Sequence, residues 1–318
     1  MKKIVSIVLA ALMLAAVFAF AGCGKTNQTT DDAIIRIAAL KGPTGMGVAP
    51  LMNKETYKQY DITINSDPSA VTSAFIAGDY DVAALPVNVA SVLYNKLEGD
   101  VVMLAITTLG VLYVLDSDNG VTTMQDLSGK TLYATGQSST PEYVLNYLLE
   151  KNGLTDVTVE YKAEHSELAA LMASGEVTLG MMPEPNVTAT LAKNDSLHVA
   201  LDLTEEWNNV CDYKLVQGVL IARRGFVTEH EGIIKTLMND YSKATELVNT
   251  ATDEAAQMIV DAEILPALAI AKAAIPRCNI VFMTGEKMKK AASAMYEVLF
   301  SFDPKSVGGK LPGEDLYY

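Results

Sequence analysis

The sequence is poor in the residues that build crosslinked or metal-held domains, with three cysteines and three histidines among 318 residues. No Cys-x-x-Cys pair occurs, and no His or Cys stands three or four residues from another, so neither a disulfide framework nor a helical metal site organises the chain. Cys211 and Cys278 are 67 residues apart, and Cys278, in the run AIPRCNIVF, reads as a small buried hydrophobe. Aromatics make up 7% of the residues, with one Trp, which excludes an aromatic-rich β sandwich. Basic residues are outnumbered, 24 against 38 acidic, giving a net charge of −14. Such a surface repels phosphate backbones and anionic headgroups and excludes nucleic acid as a partner. After residue 22 no apolar run is long enough to cross a bilayer.

What is present begins with a leader. Lys2 and Lys3 precede an almost uninterrupted apolar run from Ile4 to Ala21, then Gly22-Cys23 and the polar stretch GKTNQTTDD. This is the pattern of a secretory signal peptide over residues 1–22. Phe20-Ala21-Gly22-Cys23 resembles a bacterial lipobox, which implies cleavage before Cys23, acylation of its sulfur (diacylglycerol and palmitate) and anchorage to the outer face of a cell membrane. Residues 23–32 then form a lipidated linker, and the rest of the chain is extracytoplasmic.

The remaining length exceeds one common domain and predicts two lobes. Ile34 to Leu40 reads as a buried strand, broken by Gly42-Pro43-Thr44-Gly45-Met46-Gly47 before a helix across VAPLMNKE and a strand over 60–65. Such a βαβ opening implies a mainly parallel sheet with helices on its faces. Residues 69–96 then read as helix, Gly78, strand Val82 to Leu85, Pro86, helix; residues 166–193 repeat that order with Gly175, strand Val177 to Met181 and Pro183. Laying Gly78 on Gly175 puts Pro86 on Pro183, an echo that suggests two lobes of one plan. Strands are expected at 101–107, 111–115, 132–135 and 215–222, and helices at 141–152, 229–249, 253–264 and 285–302. Lobe boundaries near Gly110 and Gly218 divide the chain into lobe one, 33–110 plus 219–318, and lobe two, 111–218, joined by two strand-like crossovers able to act as a hinge.

Three stretches, LKGPTGMG at 40–47, AGDYDVAALP at 77–86 and DLSGKTLYATGQSSTPEYVLNYLLEKNGL at 126–154, resemble the nitrate/sulfonate/taurine-type solute-binding proteins, a group that includes binders of a thiamine pyrimidine precursor. AIPRCNIVF and the tail DPKSVGGKLPGEDLYY are similar to the C-terminal end of some members. The resemblance implies a fold class: α/β, a two-lobed type II periplasmic-binding-protein-like fold with mixed, mostly parallel sheets and helices on both faces. It also implies a function, the extracytoplasmic receptor of an ABC importer, working as a monomer with a permease and its ATPase as partners and without a cofactor. The same scaffold hosts enzymes acting on small pyrimidine or carboxylate-type metabolites, which is the alternative; no Ser-His-Asp or Cys-His set falls in the loops named next, so no catalytic residue is expected.

In open α/β sheets ligands sit beyond the carboxyl ends of the strands. Four loops qualify. Lys41, Gly42, Pro43, Thr44, Gly45 and Met46 leave the first strand, and Gly136, Gln137, Ser138, Ser139 and Thr140 lead into Pro141 at a helix start, each with backbone N–H groups open to an accepting ligand. Pro86 and Asn88, with Pro183 and Glu184, come from the echoed units. Asn88 offers donor and acceptor; Glu184 suits an amine or ring N–H, or is a solvated rim charge; Lys41 meets a ligand anion or solvent. Trp207 stacks on a flat ligand or covers a lobe edge. The loops hold no Arg, which argues for an organic solute over a strong inorganic anion.

Overall fold

The computed structural model describes residues 33–318; the leader and Cys23 lie outside the described residues. The chain opens with strand β1 (Ile35–Leu40), and helix α1 (Pro43–Val48) follows at once. This start is earlier than the sequence pattern placed it. Gly42 takes φ 91°, which only glycine adopts without strain, and Pro43 sits in the first turn, where its missing N–H costs nothing. Residues 42–46 are therefore a helix start and not an open loop. A 3-10 turn (Ala49–Met52) leads to β2 (Tyr60–Asn65). Helix α2 (Pro68–Ala77) is capped by the Asp67 carboxylate, which accepts from Ser69 N at 2.8 Å, and it ends on Gly78 at φ 87°. Then come β3 (Val82–Pro86), α3 (Val87–Lys96) and β4 (Val101–Leu109).

The second sheet's strands begin with β5 (Leu112–Asp116) and β6 (Thr131–Thr135), followed by α4 (Thr140–Lys151), β7 (Thr158–Lys162) and α5 (His165–Ser174). Helix α5 closes on Gly175 at φ 79°, the same left-handed cap as Gly78. Next are β8 (Leu179–Pro183), α6 (Asn186–Leu191), β9 (His198–Asp202) and α7 (Leu203–Val210). The chain returns through β10 (Val216–Arg223) and continues as α8 (Arg224–Glu229), α9 (Glu231–Thr250), α10 (Thr252–Asp261), α11 (Leu268–Ala274), β11 (Ile280–Met283) and α12 (Gly285–Phe302). Strands β7, β9 and β11 escape a reading by pattern because each is only four or five residues long and only partly buried.

The six-stranded sheet has the order β11-β4-β10-β3-β1-β2 and the five-stranded sheet β7-β6-β8-β5-β9. In both, a parallel trio (β2-β1-β3 and β7-β6-β8) is followed by one antiparallel strand, β10 or β5, that arrives from the other half of the chain. The echo seen in sequence is thus one topology built twice: Gly218 pairs with Pro86, and Leu112 with Pro183, at equivalent corners. Strand β4 is buried from Val101 to Thr108, as expected of a strand with helices over both faces. Both crossover glycines are close-packed. A Cβ on Gly110 would lie 2.2 Å from Thr204 Oγ1, and one on Gly218 would lie 2.9 Å from Thr108 Oγ1. Among the described residues no helix is long and apolar enough to cross a membrane.

Candidate functional site

A cavity of about 460 Å³ opens where the carboxyl ends of the two sheets face each other. Its walls are the segments that follow β1, β2, β3 and β4 on one side and β6, β7 and β8 on the other. The glycine-bearing segments expected to meet do so: Gly42, Pro43 and Thr44 share the lining with Gly136, Ser139 and Thr140. The walls touch directly, since the Thr140 hydroxyl donates to Asn88 Oδ1 at 3.3 Å and a Cβ on Gly42 would sit 3.8 Å from Pro185 Cδ. Six of the lining residues are prolines (43, 68, 86, 141, 183 and 185), which, with Leu40, Val89 and Val111, make the walls rigid and largely apolar.

Lys41, Pro86, Asn88, Pro183 and Glu184 also line the cavity. Five expected residues do not. Gly45 is buried, its missing Cβ leaving room for the Leu40 carbonyl oxygen 2.5 Å from where it would be. Met46 is fully buried, with its sulfur 3.7 Å from that of Cys278. Gln137 and Ser138 lie outside the lining because the turn at 136–139 directs only its ends inward. Trp207 is 1% exposed, tilted on Tyr147 at 4.7 Å, with Nε1–H donating to the Tyr213 carbonyl at 2.7 Å. It belongs to the second-sheet side's core because it sits on the apolar face of α7.

Thr108, His165, Pro185 and Gln217 are lining residues that sequence reasoning passed over. His165 follows β7 as Pro68 follows β2, so recognising β7 would have found it. Its Nδ1 lies 2.6 Å from Thr135 Oγ1, and burial lowers its pKa, which keeps the ring neutral near pH 7. Thr108 Oγ1 and Gln217 Nε2 are buried without a hydrogen-bond partner, an arrangement that costs free energy unless something else satisfies them.

Glu184 is the strongest electrostatic feature. It is 2% exposed, so it is a buried carboxyl and not a rim charge. Thr188 donates from its hydroxyl to Oε1 at 2.8 Å and from its backbone N–H to Oε2 at 3.2 Å. Arg277 Nη1 stands 3.9 Å from Oε1, beyond hydrogen-bond reach. Desolvation outweighs these favourable partners and raises the carboxyl pKa to about 7. Arg277 was not anticipated because it comes from the turn before β11, more than 90 residues on, where Tyr113 Oη donates to its carbonyl at 2.9 Å. Cys278 beside it is buried with a raised pKa, caused first by desolvation, hence an inert thiol. Cys211 and Cys278 are both free. Among the described residues no group of three or more His, Cys, Asp or Glu side chains is placed to hold a metal.

Two α/β halves of one plan around a proline-walled cleft define a two-lobed binding-protein fold, and solved structures share it. The chain is similar to an ABC transporter protein from Parabacteroides distasonis (TM-score 0.79, 21% identity, 90% of this chain and 99% of that one). It is similar also to the periplasmic aliphatic sulphonate binding protein of Escherichia coli (0.73, 16%, 91% and 92%) and to the periplasmic nitrate-binding protein of Synechocystis (0.60, 12%, 85% and 82%). At these identities the likeness is one of fold. The family model described as NMT1/THI5 like matches residues 61–255, well over half of the chain, and the protein belongs to that family. A comparison with curated proteins finds no match.

Proposed function

We propose that this protein is the solute-binding receptor of an ABC-type importer, closing two lobes on a small organic molecule and handing it to a membrane permease driven by a cytoplasmic ATPase. The observation that supports this best is the convergence of Gly42, Pro43 and Thr44 with Gly136, Ser139 and Thr140 on one cavity of about 460 Å³, a size suited to a small metabolite. Solved neighbours include a periplasmic aliphatic sulphonate binding protein and a periplasmic nitrate-binding protein, which supports the reading. Lobe one is 33–110 plus 219–318 and lobe two 111–218, with Cys23 lipidated and the monomeric receptor tethered outside the membrane. Only the closed form brings both walls onto a ligand, so binding shifts the open–closed equilibrium toward closure. In this reading the protein is a receptor and not an enzyme, which the tethering of His165 by Thr135 and the burial of the Cys278 thiol support.

The test is mass spectrometry of small molecules released from the purified full chain, followed by titration of each back into stripped protein. A receptor gives a saturable rise in melting temperature, a smaller radius of gyration by X-ray scattering and no turnover. Tight binding without compaction, or conversion of the solute to product, overturns the reading.

A further inference from the structure

The two halves of the molecule are joined differently on their two faces. Alternate residues of each strand point to opposite sides of the sheet, so each face has its own core. On one face α12 and α4 share a single apolar cluster, to which Met295 and Leu299 of the first-sheet half belong together with Val144 and Leu148 of the second. Tyr143 Oη adds a hydrogen bond across this seam, donating to Asp303 Oδ2 at 3.1 Å. On the other face α11 lies against α6, yet among the described residues no apolar cluster spans both halves: Ala271 and Ile275 belong to one, Met172 and Val187 to another. What crosses there is polar. Arg277 Nη1 stands 3.4 Å from Thr188 Oγ1, whose hydroxyl donates to Glu184 Oε1 at 2.8 Å, and the Arg277 carbonyl accepts from Tyr113 Oη at 2.9 Å. The Glu184 side chain has no exposed surface, and its neighbours come from both halves: Arg277 and Cys278 from one, Thr188 and Tyr113 from the other. An enclosure made by both halves lasts only while they are together.

Resting on the receptor reading, we infer that Arg277, Thr188 and Glu184 form a clasp between the halves, that the α4–α12 seam holds while the clasp parts, and that ionisation of Glu184 releases it. An apolar seam resists separation because parting it exposes its surface to water, whereas water replaces polar contacts at small net cost. A carboxylate shut between the halves lacks hydration, and its cation, 3.9 Å away, is out of hydrogen-bond reach; charging it therefore favours the state in which water enters. Enclosed, the carboxyl keeps its proton up to about 7; hydrated, it returns toward its ordinary 4.5. The closed form binds that proton more tightly, so it is favoured in acid and loses ground as pH rises through about 7. The other titratable or charged groups around Glu184 are Arg277, Cys278 and Tyr113, with Lys41 and His165 on the same cavity, while Lys272 on α11 pairs with Asp253. Burial moves Cys278 and Tyr113 up and His165 down, away from pH 7. Since the closed form is the one that holds a solute, the grip tightens as the medium acidifies.

The experiment is pulsed electron paramagnetic resonance on the solute-free full chain, with spin labels on p-acetylphenylalanine replacing Ser69 and Ser166, exposed residues one step beyond Pro68 and His165 on opposite walls. Two label-to-label distances are expected, and the ratio of the longer to the shorter should rise by up to about tenfold from pH 6 to pH 8. E184Q, which cannot ionise, should stay on the shorter distance with a flat profile. R277A keeps Glu184 but loses the cation that lowers its pKa, and should carry the rise to higher pH. A flat profile in the unaltered protein, an equal rise in E184Q, or opening that increases toward acid overturns the inference. Each of these leaves the receptor reading standing, since that is judged separately by the molecules that co-purify with the chain and by compaction when they are returned.

Discussion

Glu184 makes a prediction about stability that is independent of any ligand. Its carboxyl ionises near 7 in the folded protein against an ordinary 4.5, because it is 2% exposed and Thr188 and Arg277 only partly compensate. A group whose folded pKa is raised binds its proton more tightly when folded. The stability it contributes is therefore fully present below about 4.5 and lost as pH rises through about 7. At about 1.4 kcal/mol per factor of ten, the interval corresponds to roughly 3 kcal/mol, undiscounted because the side chain has no exposed surface. E184Q keeps an acceptor for Thr188 and cannot ionise, so it should match the unaltered protein near pH 5 and exceed its stability by up to roughly 3 kcal/mol at pH 8. The assay is urea unfolding of both proteins at pH 5, 6, 7 and 8, read as the difference between them, which removes the titration of every other group. R277A should widen that difference relative to E184Q, since Arg277 lowers the Glu184 pKa. Parallel profiles, with a constant difference across the range, would refute the reasoning.

Tyr60 Oη donates to Asp240 Oδ2 at 2.7 Å inside the first-sheet core, and Y60F leaves that carboxylate with only Gln59 Nε2 at 3.4 Å; a loss of about 1–3 kcal/mol in urea unfolding is expected, and an unchanged midpoint would contradict it. G45A places a methyl 2.5 Å from the Leu40 carbonyl oxygen, a backbone atom that cannot swing away, and should destabilise by about 1–3 kcal/mol. G225A, with nothing within 4 Å of the new methyl inside α8, is expected to be neutral or stabilising by about 0.5–1 kcal/mol, so similar thermal shifts for the two glycine variants would show that local space is not what decides.

Periodicity and punctuation determined the elements of this protein. Gly78 and Gly175 mark left-handed helix caps because those backbone angles are open to glycine alone at no cost, and Pro86 and Pro183 mark strand ends because proline cannot continue a ladder. Both effects are local, so they are legible in a string, as was the cleft edge at residues 41–44, 86, 88, 136, 139–140 and 183–184. Tertiary structure decided what depends on distant neighbours. Whether Glu184 is a rim charge or a buried carboxyl depends on Arg277, Cys278 and Tyr113, and whether Trp207 meets a ligand or a core depends on Tyr147 and on which face of α7 turns inward. Burial is a property of what the rest of the chain puts in the way. It sets the pKa of a carboxyl and the partners of a buried amide, and no local pattern of residues encodes either.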